Sequence, residues 1–504
     1  MAGILFQIVM VPIFFSIVAF LSAKKIGEKT GWIAFASLFY TLALTLALTI
    51  GLSAKDGAYV EEYSWVPAFR LSFGLRLDGL SLPFVMTIGI LTTLIALYSI
   101  PYMKHKIGET SQEYGTYFAL YLLYAAGMQG AVLSTNLIEF YLFYELMLIP
   151  SYFMIAQWGY GNRERIAFMY FIWTHVGALA LLAGIISTYV LTLPAGSFDI
   201  YEIHTILQMQ QYPSEVIRWI SIAMFLGFFV KMAVFGLHIW LPHAHAEAPT
   251  PISALLSPAM IGIGGYATVR IPMSLFPEVF VVLGPLLSIW AVATMVYGGM
   301  MALAQDDLKR LLAYSSISQM GYILFGIASF KLLGVSGSMF HYVSHGIGKG
   351  ILFMVAGAIM LQTEGLRSIR KLGGLASKMP ITSTAAIIGF LTIMGIPPLN
   401  GFQSEWMLFT GAFQEITYTS LFSTRLLTAY VGILSTVLTA GYGLWTIRRV
   451  FFGERPDHLE GVKEAPPLVI APLLVLTVLS ILFGTFPSLI TDFLLEALKS
   501  IVPT

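Results

Sequence analysis

Phe228–Pro258 reads FFVKMAVFGLHIWLPHAHAEAPTPISALLSP, and what this stretch is decides what the chain is. Lys231 stands inside an apolar run, far from any flanking polar segment. A charge in hydrocarbon costs about 2.5–3.5 kcal/mol on insertion scales, so it is paired or it is used. An ion pair that merely locks two helices is the plainer account, and function the sharper one. Gly236, His238, Pro242, His243, His245, Glu247, Pro249 and Pro251 follow before a second apolar run begins.

The 504 residues are 57% hydrophobic and 11% charged, with a mean hydropathy of +0.82. Soluble domains average about 25% charged residues, so the composition is that of an integral membrane protein in contact with lipid. A net charge of +1 carries no nucleic-acid signal. With no cysteine, the chain cannot ligate an iron–sulfur cluster through thiolates. The apolar N-terminus lacks a basic leading segment, and its Lys24 and Lys25 follow the run, so it reads as a retained first helix.

Apolar runs of membrane-spanning length predict an all-α polytopic protein of about 14 transmembrane helices. They fall near 3–22, 31–52, 80–101, 114–133, 136–158, 166–192, 217–241, 252–275, 280–304, 310–330, 336–361, 383–409, 425–452 and 467–494. LSFGLRLDGLS (71–81) predicts a short extramembrane hairpin ahead of the third helix. Odd-numbered connections carry most of the basic residues, among them Lys24, Lys104, Arg163, Lys309, Arg370 and Arg449. Even-numbered ones hold only Lys55, Arg70, Arg76, Arg218, Lys331 and Arg425. By the positive-inside rule both termini lie outside a cell membrane of the energy-coupling kind.

Few ionisable residues remain inside the runs. Glu145 is deep in the fifth, with Glu139 six positions earlier near the helix start and expected at the interface. His175 lies in the sixth. His341, His345 and Lys349 lie in the eleventh at i, i+4, i+8, on one stripe of a helix. Glu405 lies in the twelfth, beyond Pro397–Pro398. Two prolines there remove two amide donors and break the helix, and broken backbone at membrane depth survives only inside protein or beside a water-filled cavity. The seventh run, with Gly236 as its only breaker before Pro242, predicts a second interruption. Two broken helices with buried charges, five apart in order, are the pattern of inverted repeats, here helices 4–8 and 9–13. The expected division is 1–113 (helices 1–3 and the hairpin), 114–275 and 276–452 (the two half-channel repeats), and 453–504 (helix 14).

KMAVFGLHIWLPHAHAEAPTPISALLSP, QDDLKRLLAYSSISQMGY (305–322), SHGIGKGILF (344–353) and GIPPLNGFQSEW (395–406) resemble the antiporter-like membrane subunits of respiratory complex I, over the fourth to thirteenth helices. Glutamate at position 405 resembles the M-type branch, since other branches usually carry lysine there. The resemblance implies a proton-translocating subunit of an NADH-quinone oxidoreductase, or of a relative using another donor. It implies no cofactor and no metal in this chain, with quinone, iron–sulfur clusters and a flavin or other donor site in partner subunits. The partners implied are L-, N- and K-type antiporter-like subunits and small membrane subunits. Glu145 and Lys231 would form the pair of the first half-channel, and Glu405 would end the second. Burial favours the neutral form of such groups and an opposite charge the ionised form, so the pair is a two-state element. The relay expected is Glu145, Lys231, His345, Lys349 and Glu405, with His238, His243 and His245 as further candidates. His243 and His245 with Glu247 have the spacing of a chelate, but an extramembrane, motif-defined connection weighs against metal.

There are three departures from the family pattern. Ala233 and Gly236 stand where proline is common, which predicts a milder interruption. Gln319 replaces a common histidine. In SPAMIGIGGYATVR, Gly262 occupies the place of an eighth-helix lysine. Lys349 with His345 is expected to take over that lysine's role, the competing idea being a bridge of ordered water. The alternative function is a subunit of a multisubunit Na+(cation)/proton antiporter or of a membrane-bound hydrogenase.

Overall fold

The protein, described by a computed structural model over residues 3–52, 57–69, 71–108, 111–209, 212–414 and 423–502, is helical except for one hairpin. Lys55 and Arg70 lie outside the described residues. Helices α1 (Ile4–Ile26) and α2 (Thr30–Gly51) lead into strands β1 (Ala58–Val66) and β2 (Leu71–Asp78), then α3 (Leu82–Ile107), α4 (Ser111–Leu133), α5 (Leu137–Trp158) and α6 (Arg163–Leu191). Next come α7 (Ile200–Met209), α8 (Ser214–Lys231), α9 (Trp240–Glu247), α10 (Thr250–Leu255), α11 (Ile263–Thr268), α12 (Pro277–Leu303) and α13 (Leu308–Ser329). Then follow α14 (Leu332–Gln362), α15 (Pro380–Ile393), α16 (Asn400–Phe413), α17 (Thr424–Val450), α18 (Pro467–Thr485) and α19 (Ser488–Leu498).

Proline in the first turn, where its missing N–H has no intrahelical acceptor, opens α3, α10, α12, α15 and α18. Asn136, Asp307 and Ser423 cap α5, α13 and α17 with side-chain oxygens. Among the described residues, 11 helical runs are long and apolar enough to cross a membrane; the first, Ile4–Gly51, contains both α1 and α2. The interrupted pairs α8/α9 and α15/α16 are not among these runs. The run Thr250–Met273 and the run α14 are buried on every side, whereas α1, α2, α6 and α18 expose large apolar side chains as lipid-facing helices do. Thr250–Met273 widens into π-helical turns at Leu256–Met260 and Val269–Met273, around Pro258 and Pro272.

Both interruptions are complete. Residues 232–239 leave the helix, with Ala233 at φ 53° and Gly236 at φ 88°, so the milder break expected from the missing proline is not what forms. A left-handed alanine followed by a left-handed glycine turns the chain as firmly as proline would. Neighbours satisfy the freed backbone: Thr294 Oγ1 accepts from Phe235 N–H at 3.2 Å, while Trp290 and Trp240 donate to the Phe235 and Val230 carbonyls at 2.8 and 2.9 Å. At the second break, residues 394–399, Gln319 donates to the Ile393 carbonyl at 3.4 Å and Ser344 to the Asn400 carbonyl at 3.0 Å.

One pattern of backbone hydrogen bonds occurs twice along the chain. Leu137 N–H donates to the Phe198 carbonyl (2.9 Å) and Ile200 N–H to the Thr135 carbonyl (3.0 Å). Leu308 N–H donates to the Arg367 carbonyl (3.0 Å) and Ile369 N–H to the Asp306 carbonyl (2.7 Å). The start of α5 is thus pinned to the chain after α6 as the start of α13 is pinned to the chain after α14.

β1 and β2 pair antiparallel from Ala58↔Asp78 to Val66↔Leu71, completing the hairpin of which LSFGLRLD is the second strand. Asp78 Oδ1 accepts from the Leu80 and Ser81 amides ahead of α3 and from Arg270 of the buried eighth segment at 2.5 Å. Burial pushes the Asp78 carboxyl up, but the Arg270 guanidinium, the Ser81 amide and Arg76 overcome this and hold it well below the usual range.

Candidate proton path

Lys231 ends α8 at the first break and is 1% exposed. Its ammonium lies 4.2 Å from the centroid of the Tyr144 ring and has no hydrogen-bond partner among the described residues. Glu145 is within electrostatic reach but forms no ion pair with it within 4.0 Å. Glu145 Oε2 instead faces His175 Nδ1 at 3.3 Å, and the two side chains are 16% and 36% exposed. The expected Glu145–Lys231 pair is therefore open, because consecutive residues of α5 point different ways: Tyr144 inward under Lys231, Glu145 sideways towards α6. Neither the Glu145 nor the His175 side chain is fully buried within the chain.

The α14 stripe forms as its spacing predicts, with His341, His345 and Lys349 at 1%, 0% and 0% exposure. Lys349 donates to the Leu312 carbonyl at 3.0 Å and to Ser315 Oγ at 2.5 Å, and Ser315 donates to Tyr442 at 2.7 Å. His341 Nε2 meets Gln319 Oε1 at 2.8 Å and its Nδ1 meets Ser404 Oγ at 3.0 Å. The position where histidine was expected thus still supplies a polar partner to α14. Both ring nitrogens of His345 are buried without a partner among the described residues. Glu405 is 7% exposed, with Oε1 likewise unpartnered. Its carboxylate packs on Gly395 of the second break, where a Cβ would stand 2.4 Å from Oε2.

Of the three further histidines, the structure brings one to this line. His245 is fully buried, stacks 5.1 Å from Phe353 and lies within electrostatic reach of His345 and Lys349. His243 is exposed, and His238 Nδ1 accepts from Gly236 N–H at 3.1 Å beside Tyr297. The HAHAE segment is helical, as part of α9, so His243 and His245 point apart. Among the described residues no group of three side chains converges as a metal site.

The place of the absent eighth-helix lysine is filled. A Cβ on Gly262 would stand 2.2 Å from Cδ2 of Tyr342, whose ring stacks on Phe84 at 4.2 Å and whose hydroxyl donates to the Ala259 carbonyl at 3.1 Å. Lys309, read as a loop cation, is also buried. It donates to the Ala246 and Ala248 carbonyls at the end of α9, and Arg367 donates to Ala246 as well. Its position in the first turn of α13, two residues after the Asp307 cap, carries no sequence signal of burial.

Two interrupted helices, each with a buried ionisable residue at or beside its break, together with a stripe of buried ionisable groups on α14, are the arrangement of a proton-translocating membrane subunit. Residues 134–431 match the family described as NADH:quinone oxidoreductase/Mrp antiporter, TM, and residues 64–118 match NADH-ubiquinone oxidoreductase (complex I), chain 5 N-terminus. The chain belongs to this complex I and antiporter family. It is 32% identical to F(420)H(2) dehydrogenase subunit M of Methanosarcina mazei, over 98% of this chain and 97% of that one. It is 31% identical to NADH-quinone oxidoreductase subunit M of Rickettsia prowazekii, over 96% and 94%. A chain of respiratory complex I from Thermus thermophilus superposes with a TM-score of 0.86 at 26% identity, covering 99% of this chain and 100% of that one.

Proposed function

We propose that this chain is the M-type proton-translocating subunit of a complex I-like donor:quinone oxidoreductase. The observation that carries the reading is the series Lys231, His245, His345, Lys349 and Glu405, buried from one helix break to the other. A chain with only a scaffolding role has no use for that many ionisable groups in its interior. In this reading Lys231 holds a proton against the Tyr144 ring, and approach or withdrawal of the Glu145 charge sets whether it keeps it. His345 and Lys349 pass the proton on, His341 and Ser404 orient the second break, and Glu405 ends the path. Segments 114–275 and 276–452 act as the two half-channels, with 1–113 and 453–504 packed around them.

Quinone, iron–sulfur clusters and the donor site belong to partner subunits, with other antiporter-like and small membrane subunits as neighbours. Subunits M of relatives fed by F(420)H(2) and by NADH match almost equally well, so the donor is assigned only as a two-electron hydride carrier. The charge bias of the connections puts both termini outside. A cation/proton antiporter subunit is the second reading, favoured by a family description that includes Mrp.

The test is donor-driven proton uptake by vesicles carrying the whole complex, comparing wild type with Glu405→Gln. Loss of uptake in an assembled complex supports the reading. Unchanged uptake overturns Glu405 as a relay and favours the antiporter.

A further inference from the structure

Glu139 is the buried acid that the path above leaves unused. Near the start of α5 it was expected at the interface, yet it is 1% exposed. Three extended segments close over it. Leu75 of β2 bridges to Ser134 and Asn136 bridges to Asp199, while Thr135 N–H donates to the Gly74 carbonyl at 2.9 Å. The N–H of the same Gly74 donates to Glu139 Oε2 at 3.0 Å. Glu139 Oε1 is buried without a partner among the described residues.

Asp199 stands at the outer edge of this cover, outside the spanning helices and partly exposed. It accepts from the Tyr201 and Glu202 amides at 2.9 and 3.0 Å. Burial nevertheless raises its carboxyl above the usual range, against those amide bonds. The Asp199 charge also acts on Glu139.

Anchoring the hairpin requires only an acceptor for Gly74, and glutamine or asparagine would provide one without a buried charge. A carboxylate with one idle oxygen in that position is costly for an anchor and suited to a group that takes up and releases a proton. We propose that Glu139 is a proton-exchange group on the hairpin face of the first repeat, passing protons between the buried path and Asp199 at the water boundary. This rests on the translocation reading above. Protonated Glu139 gives its proton to the Asp199 carboxylate and remains as a carboxylate held by the Gly74 amide; Asp199 then releases the proton to water. Glu139 is reloaded from the level of Glu145, six residues and about 9 Å further along the same helix.

The experiment is donor-driven proton uptake per quinone reduced, in vesicles with the whole complex, for E139Q, E139D, D199N and E405Q. Glutamine keeps the acceptor for Gly74, and asparagine keeps the cap of α7, so both anchors survive. Expected are uptake lowered in E139Q to the level of E405Q, partial recovery in E139D, and a loss in D199N. Wild-type uptake in E139Q or D199N, with E405Q impaired, overturns this proposal and leaves the function standing. Wild-type uptake in all the variants overturns both. Should E139Q not assemble, D199N, whose side chain lies outside the spanning helices, decides alone.

Discussion

The Lys231 ammonium rests 4.2 Å from the centre of the Tyr144 ring, and that ring, not the adjacent Glu145 carboxylate, is its nearest electrostatic partner. A cation over a ring in a desolvated site gains about 2 kcal/mol. Tyr144→Phe keeps the ring face and loses only the hydroxyl bond to the Gly227 carbonyl, so proton uptake should stay close to wild type. Tyr144→Leu should lower it several-fold at unchanged assembly, measured as donor-driven uptake in vesicles.

Gly262 and Tyr342 share one volume. Gly262→Lys alone should destabilise the subunit by about 1–3 kcal/mol or more, as overpacking does. Tyr342→Ala should relieve it, giving a non-additive double mutant. Thermal unfolding of the purified complex, followed through this subunit, reads the coupling. In the same assay of uptake, Lys349→Ala should abolish translocation. Normal uptake in that variant would mean that ordered water, not Lys349, replaces the missing lysine.

Asp78 joins the hairpin, the start of α3 and Arg270. Its carboxyl is held below its unfolded value, so the stabilisation is present above about pH 4, the ordinary aspartate range, and fades as pH falls towards the lower folded value. Hairpin protection in hydrogen exchange should thus be flat from neutral pH to about pH 4 and drop below that. Asp78→Asn leaves a buried guanidinium without its counter-ion and should cost about 3–5 kcal/mol at neutral pH.

Gln319 meets His341 Nε2 and so fixes which ring nitrogen faces Ser404. Gln319→Leu should cost about 1–3 kcal/mol, the penalty of an orphaned buried group. Gln319→His should retain translocation, because it restores a polar partner at the same site. Uptake assays on both variants check this.

Much of this was legible in the sequence, because the bilayer makes burial a matter of composition. Lys231, His345, Lys349 and Glu405 are conspicuous as ionisable residues within largely apolar runs, and each is buried as expected. What stayed hidden depends on direction more than depth. Residues 144 and 145 differ by 100° around α5, and nothing in the run says which of the two faces Lys231. Lys309 and Glu139 sit in the first turns of their helices, where periodicity cannot distinguish water from a covering loop. The depth of the break at 232–239 depended on two backbone angles at Ala233 and Gly236 that no propensity rule assigns.

Lys309 opens α13 and Arg367 follows α14, yet both hold the carbonyl end of α9. The last turn of α9 is therefore tied to the opening turn of α13 and to the segment that follows α14. A tilt of α9 that carries His245 towards or away from Lys349 must drag both of those with it. These bonds tie the three chain segments together, so none of them shifts without straining or breaking its bonds to the others.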